Sequence, residues 1–157
     1  MKQNKSSRNI QFSLLMLVML GLLTLPIKAQ VATADSLTKA TIAALADAPS
    51  TALDMAKALY AIDSTNSQHI YLLAKAHSVQ GDEAMSNYFN ELALQKDSLY
   101  LPALILKSEY ELQRNDFAYA KSLVNKINTY FPTSASAHYL NAKVALAEKQ
   151  MPEAMAE

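Results

Sequence analysis

Three histidines, His69, His77 and His138, are the first residues to test for metal binding or proton transfer. A helix offers ligands to one ion at i and i+3 or i+4, as in His-Glu-x-x-His. His69 and His77 are eight apart and His138 is far downstream, so no pair has that spacing. His77 is therefore expected to be a packed side chain. Glu109 and Glu111 are two apart and point to different sides of a helix, which does not suit paired acid–base work. Asp82 with Glu83, and Asp116, stand where helices should begin, and capping explains them: a carboxylate there accepts free backbone N–H groups and meets the positive end of the helix dipole. No Gly-rich phosphate loop and no Gly-x-Ser-x-Gly elbow occurs, and two glycines in all leave little scope for ligand-cradling turns. The absence of cysteine excludes disulfides, thiolate metal sites and a cysteine nucleophile, and also a lipid-modified Cys behind a leader. No enzyme activity and no cofactor is expected.

Tyr71 and Tyr139 are better placed for recognition than for catalysis. They share one position of an internal repeat, with Ile105 between them, and Lys75, Glu109 and Lys143 follow one helical turn later. Together they would make an aromatic and aliphatic floor with alternating charge. Aromatic rings supply contact area and a polar tip. The same three floor residues would equally serve as packing between units.

The repeat is what must position these residues. Ala40, Ala74, Ser108 and Ala142 form one column of small residues at a 34-residue spacing. Ala52, Ser86, Ala120 and Ala154 form a second, and Ser64, Ser98 and Pro132 a third. A period of this length marks stacked helix–turn–helix units. The frame gives units 33–66, 67–100, 101–134 and an incomplete 135–157, about three and a half in all. With apolar residues near half, few β-branched runs and no sustained alternation, the chain is expected to be all-α.

Unit one should hold a helix capped by Asp35 or Ser36 and a second opened by Pro49. Unit two reads as helices over Gln68–Gln80 and Glu83–Lys96, joined by Gly81-Asp82. Unit three reads as a helix from Pro102 to Arg114, the turn Asn115-Asp116, and a helix from Phe117 that Pro132 stops. In unit four, Pro152-Glu153 signals a new helix start. In units three and four a one-residue rotation stays open, because Ile105-Ser108-Leu112 and Tyr139-Ala142-Leu146 also form stripes.

Over nearly all of residues 33–157 this pattern resembles the tetratricopeptide repeat family, of exported bacterial type. Gly81-Asp82, Ala93-Leu94 and Asp97-Ser98 carry the resemblance in unit two; Asn115-Asp116-Phe117, Ala120 and Pro132 carry it in unit three. The chain departs from the family in having no Trp, and in its core aromatic columns. Ser36, Ile70, Leu104 and His138 stand in one, Ala43, His77, Glu111 and Ala145 in the other. The resemblance implies a right-handed α-solenoid whose first helices line a concave groove. It implies that Tyr71, Lys75, Ile105, Glu109, Tyr139 and Lys143 face a bound protein or peptide.

The N-terminus reads as an address. Lys2, Lys5 and Arg8 precede an apolar run from Phe12 to Leu25, and Pro26 ends it. This is the layout of a secretory signal peptide, and the run falls short of the ~20 residues that span a bilayer. Residues 1–29 form the expected leader, with cleavage after Ala29, or after Ala34 as the alternative; an uncleaved anchor is the remaining reading. Removing the leader leaves 10 basic and 14 acidic residues, a net charge of −4. An acidic body without clustered Lys/Arg argues against nucleic-acid binding. The expectation is an exported scaffold, periplasmic or secreted, that binds a protein or peptide and is not held in the membrane after cleavage. The alternative is the sensing or assembly region of a longer, membrane-bound envelope protein.

Overall fold

The computed structural model describes the backbone of residues 27–154 and the side chains of residues 33–149. The expected leader core, Phe12 to Leu25, lies outside the described residues. Among those described, every element is a helix: α1 (Ile27–Asp47), α2 (Pro49–Ile62), α3 (Ser67–Val79), α4 (Glu83–Lys96), α5 (Leu101–Gln113), α6 (Phe117–Tyr130) and α7 (Ala135–Ala154). The all-α expectation holds. No helix among the described residues is long and apolar enough to cross a membrane.

The chain divides into two compact units. The first ends at Leu37, and its described part is the leading stretch of α1. The second, Thr38–Glu157, holds the rest of α1 and all later helices. Within it each helix from α2 packs on the next, and α5 also packs on α7.

Local chemistry sets the boundaries. Asn66 caps α3 by accepting from the N–H groups of Gln68 and His69 at 2.9 and 3.2 Å. Asp82 caps α4 by accepting from Met85 N at 3.2 Å, and Asp116 caps α6 by accepting from Tyr119 N at 3.0 Å. Gly81 ends α3 with φ 77°, and Asn115 ends α5 with φ 61°. Each is the left-handed residue of a Schellman motif, in which the next residue's N–H bonds to the carbonyl five residues back. Asp82 N reaches His77 O at 3.0 Å, and Asp116 N reaches Glu111 O at 2.9 Å. Glycine and asparagine are the residues that tolerate this backbone. After α2 and α4, Asp63 and Asp97 each fold back to accept from the N–H two residues on, at 2.8 and 2.9 Å. The Thr65 hydroxyl and N–H hold the Asp63 carboxyl below its ordinary pKa.

Two boundaries differ from the sequence reading. Helix α1 begins at Ile27, upstream of Asp35 and Ser36, because Ala29, Ala32 and Ala34 favour helix and no Gly or Pro interrupts. Both expected cleavage points therefore lie within it. Helix α7 runs through Pro152 to Ala154 instead of restarting there. Lys149-Gln150 stand where earlier units have Gly81-Asp82 and Asn115-Asp116. Neither a ready left-handed residue nor a capping carboxylate is present to turn the chain.

The core follows the small columns from Ala52 to Ala120. Ala52, Ala74, Ser86, Ser108 and Ala120 are all buried. Ser108 satisfies its hydroxyl by donating to Leu104 O at 2.8 Å. One apolar cluster joins Leu104 of α5, Val124 and Ile127 of α6, and Ala137, Leu140 and Val144 of α7. Ala40 and Ala142, in the same column as Ala74, are exposed. In α7 the buried stripe is Ala137-Leu140-Val144, while Tyr139, Ala142 and Leu146 face out. The open register there is resolved against the Tyr139-Ala142-Leu146 stripe.

Candidate binding site

A polar cleft of about 240 Å³ opens among α3, α4 and α5, inside the second unit. Lys75 and Ser78 come from α3, Asn87 and Asn90 from α4, and Glu109 and Tyr110 from α5. The turn at Gly81 closes one end, and the Asp82 cap sets where α4 begins beside it.

The six residues expected at a groove separate into three groups. Lys75 and Glu109 both line the cleft. Tyr71 is half-buried, edge-on to Tyr100 at 5.6 Å, and packs against Ile70, Ala93 and Ala103. Burial, then the charges of Tyr100 and Glu109, push its phenol up to about 12. Burial also raises the Tyr100 phenol, with help from Asp97. Ile105 packs against the Leu104–Val124–Leu140 cluster. Tyr139 and Lys143 form a pair of their own on α7, with the ammonium 5.2 Å from the ring centroid and Tyr139 55 % exposed. The structure thus brings Lys75 and Glu109 to one cleft, puts Tyr71 and Ile105 into packing roles beside it, and sets Tyr139 and Lys143 apart from it.

Below the cleft lies a charged cluster that the sequence reading missed. Lys107 is 5 % exposed and Glu111 4 %. The Lys107 ammonium donates to Glu111 at 2.8 Å, to Asn87 Oδ1 at 3.0 Å, and to Glu91. Burial pulls the ammonium down, but Glu111 and Glu91 together outweigh it and leave its pKa raised. The rings of Tyr110 and Tyr119 lie 5.4 and 5.7 Å from the same nitrogen. Lys107 stands 34 residues after the buried Leu73, in a column that also holds Lys39 and Asn141. That polar-for-apolar exchange, with a glutamate one turn on, is the signal that could have found it.

Asn90 is the second missed residue. Ala56 and Val124 are its counterparts in the neighbouring units, and all three are buried. Its amide donates to Ala103 O at 3.0 Å, and its Oδ1 is buried without a hydrogen-bond partner. His77 stacks on Phe89 at 5.7 Å, and its Nδ1 lies 3.1 Å from Asp82. This is the packed histidine expected from its column. No cluster of metal-ligating side chains occurs among the described residues.

The arrangement can hold a polar ligand: it presents hydroxyl, amide, ammonium and carboxylate groups on three rigid helices. In comparisons with known proteins no family model matches the chain, and no curated protein or solved structure matches it either.

Proposed function

We propose that the chain is a tetratricopeptide-type helical-repeat scaffold, exported from a bacterial cell, that holds a protein or peptide segment against α3 and α5. The observation that carries this reading is the spacing of the helices. Three begin at residues 67, 101 and 135, and three at 49, 83 and 117, in each case 34 residues apart. The left-handed caps Gly81 and Asn115 are separated by the same interval. Stacked units of one length present corresponding residues side by side, and such surfaces take extended partners. The cleft with Lys75 and Glu109 lies between two first helices of successive units, where a partner segment would cross.

Peptides selected from a displayed random library against the folded protein test this. The expected result is that the selected peptides shift the backbone NMR signals of Lys75, Gly81 and Glu109, and that Lys75→Glu weakens them. Peptides that map only to the opposite faces of α4 and α6, or a selection that enriches none, would sink the groove.

A second reading, a sensing or assembly region within a longer envelope protein, is favoured by the face of α7. His138, Asn141, Ala142 and Ala145 are exposed. Their counterparts Leu104, Lys107, Ser108 and Glu111 in α5 are buried. That face has the register of a helix awaiting a partner helix, and the gene sequence beyond codon 157 distinguishes the two readings.

A further inference from the structure

We propose that the cleft takes a cationic donor head, a guanidinium or alkylammonium, with Asn90 Oδ1 and the Glu109 carboxylate as its acceptors. This rests on the groove reading and names what the partner must present. Asn90 is 2 % exposed, and its amide nitrogen is fixed on Ala103 O, so the oxygen is the end left without a bond. A buried acceptor is normally met by protein, water or ligand, and each exception needs an explanation. Lys107 cannot supply the bond. An ammonium has three hydrogens, and Glu91, Glu111 and Asn87 accept from this one.

The lining chemistry points the same way. Its charged groups are Lys75, Glu83 and Glu109, two carboxylates to one ammonium, and none of the three is in an ion pair among the described residues. The Lys107 cluster adds two glutamates, the buried Glu111 and the part-exposed Glu91, against one lysine. Arg114 stacks over Tyr110 at 5.5 Å and is not part of the lining. At about 240 Å³ the cleft has the volume of roughly eight waters. This is below the ~300–1,000 Å³ of pockets that enclose a whole small-molecule ligand, and it suits one side-chain head. Lys75 is then a donor for a carbonyl on the chain that carries the head.

The test titrates the full chain with capped arginine amide, its neutral isostere capped citrulline amide, capped glutamate amide, and agmatine. The Asn90 side-chain NH₂ and Gly81 NMR signals are the readout. Capped arginine is expected to shift both and to bind roughly tenfold or more tighter than citrulline, as expected for a charge-assisted hydrogen bond. Glu109→Gln should cost a similar factor, with Asn90→Ser as a second variant should either fail to fold. Agmatine binding as tightly as capped arginine would identify a free small cation as the source. A tighter arginine-containing peptide would identify a partner side chain; either supports the cationic head. Citrulline or glutamate amide binding as well as arginine, or no probe moving either signal because the cleft holds water only, overturns it. Selected peptides that map to the cleft without Arg or Lys would sink this inference and leave the groove standing. Capped arginine binding where no peptide is selected would do the reverse.

Discussion

Replacing Lys107 by methionine tests the buried charge cluster most directly. The exchange keeps the length and apolar stem of the side chain and removes only the ammonium. Glu111 has a side chain 6 % exposed, whereas that of Glu91 is 41 % exposed. After the exchange Glu91 can turn to water, but Glu111 is left as a buried carboxylate without its counter-charge. Breaking a buried pair in this way costs about 3–5 kcal/mol. The half-open Glu91 arm adds little, because exposed ion pairs contribute ~0–1 kcal/mol. For a chain of this size 1 kcal/mol is about 2–4 °C in Tm, so a fall of roughly 6–20 °C is expected. The double variant Lys107→Met with Glu111→Leu should recover most of it, because an apolar replacement for a whole pair is often neutral. Urea unfolding of the two single variants and the double variant gives the coupling. If Lys107→Met and Glu111→Leu each cost under about 0.5 kcal/mol and their effects add, the cluster is solvated and the burial argument fails.

Two further perturbations read other parts of the fold. Tyr71 has a folded pKa of about 12 against about 10 in the unfolded chain. Its contribution is complete below about pH 10 and is lost as pH rises from there toward 12, worth up to about 2 kcal/mol. Tyr71→Phe should flatten that part of the stability–pH curve relative to the unsubstituted protein; an unchanged slope in urea titrations would refute it. Ala74→Leu, at a closed crossing, should cost ~1–3 kcal/mol. Ala142→Leu, in the same column but exposed, should stay within about 0.5 kcal/mol. Equal losses would show that α7 is covered on both faces.

The elements were legible wherever a residue has a local reason to act. Gly81, Asn115, Asp82, Asp116, Pro49 and Pro132 start or stop helices through their own backbone and side-chain chemistry, and the sequence reading located all of them. The start of α1 and the end of α7 were misread because a lone Asp, Ser or Pro signals a boundary only if the flanking residues cannot continue the helix. The alanines around Asp35, and the missing turn pair before Pro152, let it continue. The register of α7 was open because Leu140 and Tyr139 are adjacent and both large, and only packing on α6 selects between them. Lys75 and Glu109, which their repeat position marked for a groove, both line the cleft. Lys107 was missed because two of its three acceptors, Asn87 and Glu91, stand on another helix, twenty and sixteen residues away, and no local pattern carries those contacts.

The repeat frame makes the exceptions informative. Position 73 is leucine and position 107 lysine; position 56 is alanine, position 124 valine and position 90 asparagine. A stacked scaffold of the kind proposed would gain most from apolar residues at buried positions. Polar residues there carry a desolvation cost, and places that break a local rule in a real protein tend to be functional or strained. Both exceptions make hydrogen bonds across the junction of α4 and α5, and Asn90 lines the cleft together with Asn87, the amide that accepts from Lys107. Lys107 is fully satisfied by its three acceptors and can be explained as structure. Asn90 is only half satisfied: its nitrogen ties α4 to Ala103 O of α5, but its oxygen has no such role, where alanine and valine stand 34 residues away on either side. The unpartnered acceptor at Asn90, a residue that lines the cleft, is therefore the observation on which the proposed cationic head rests.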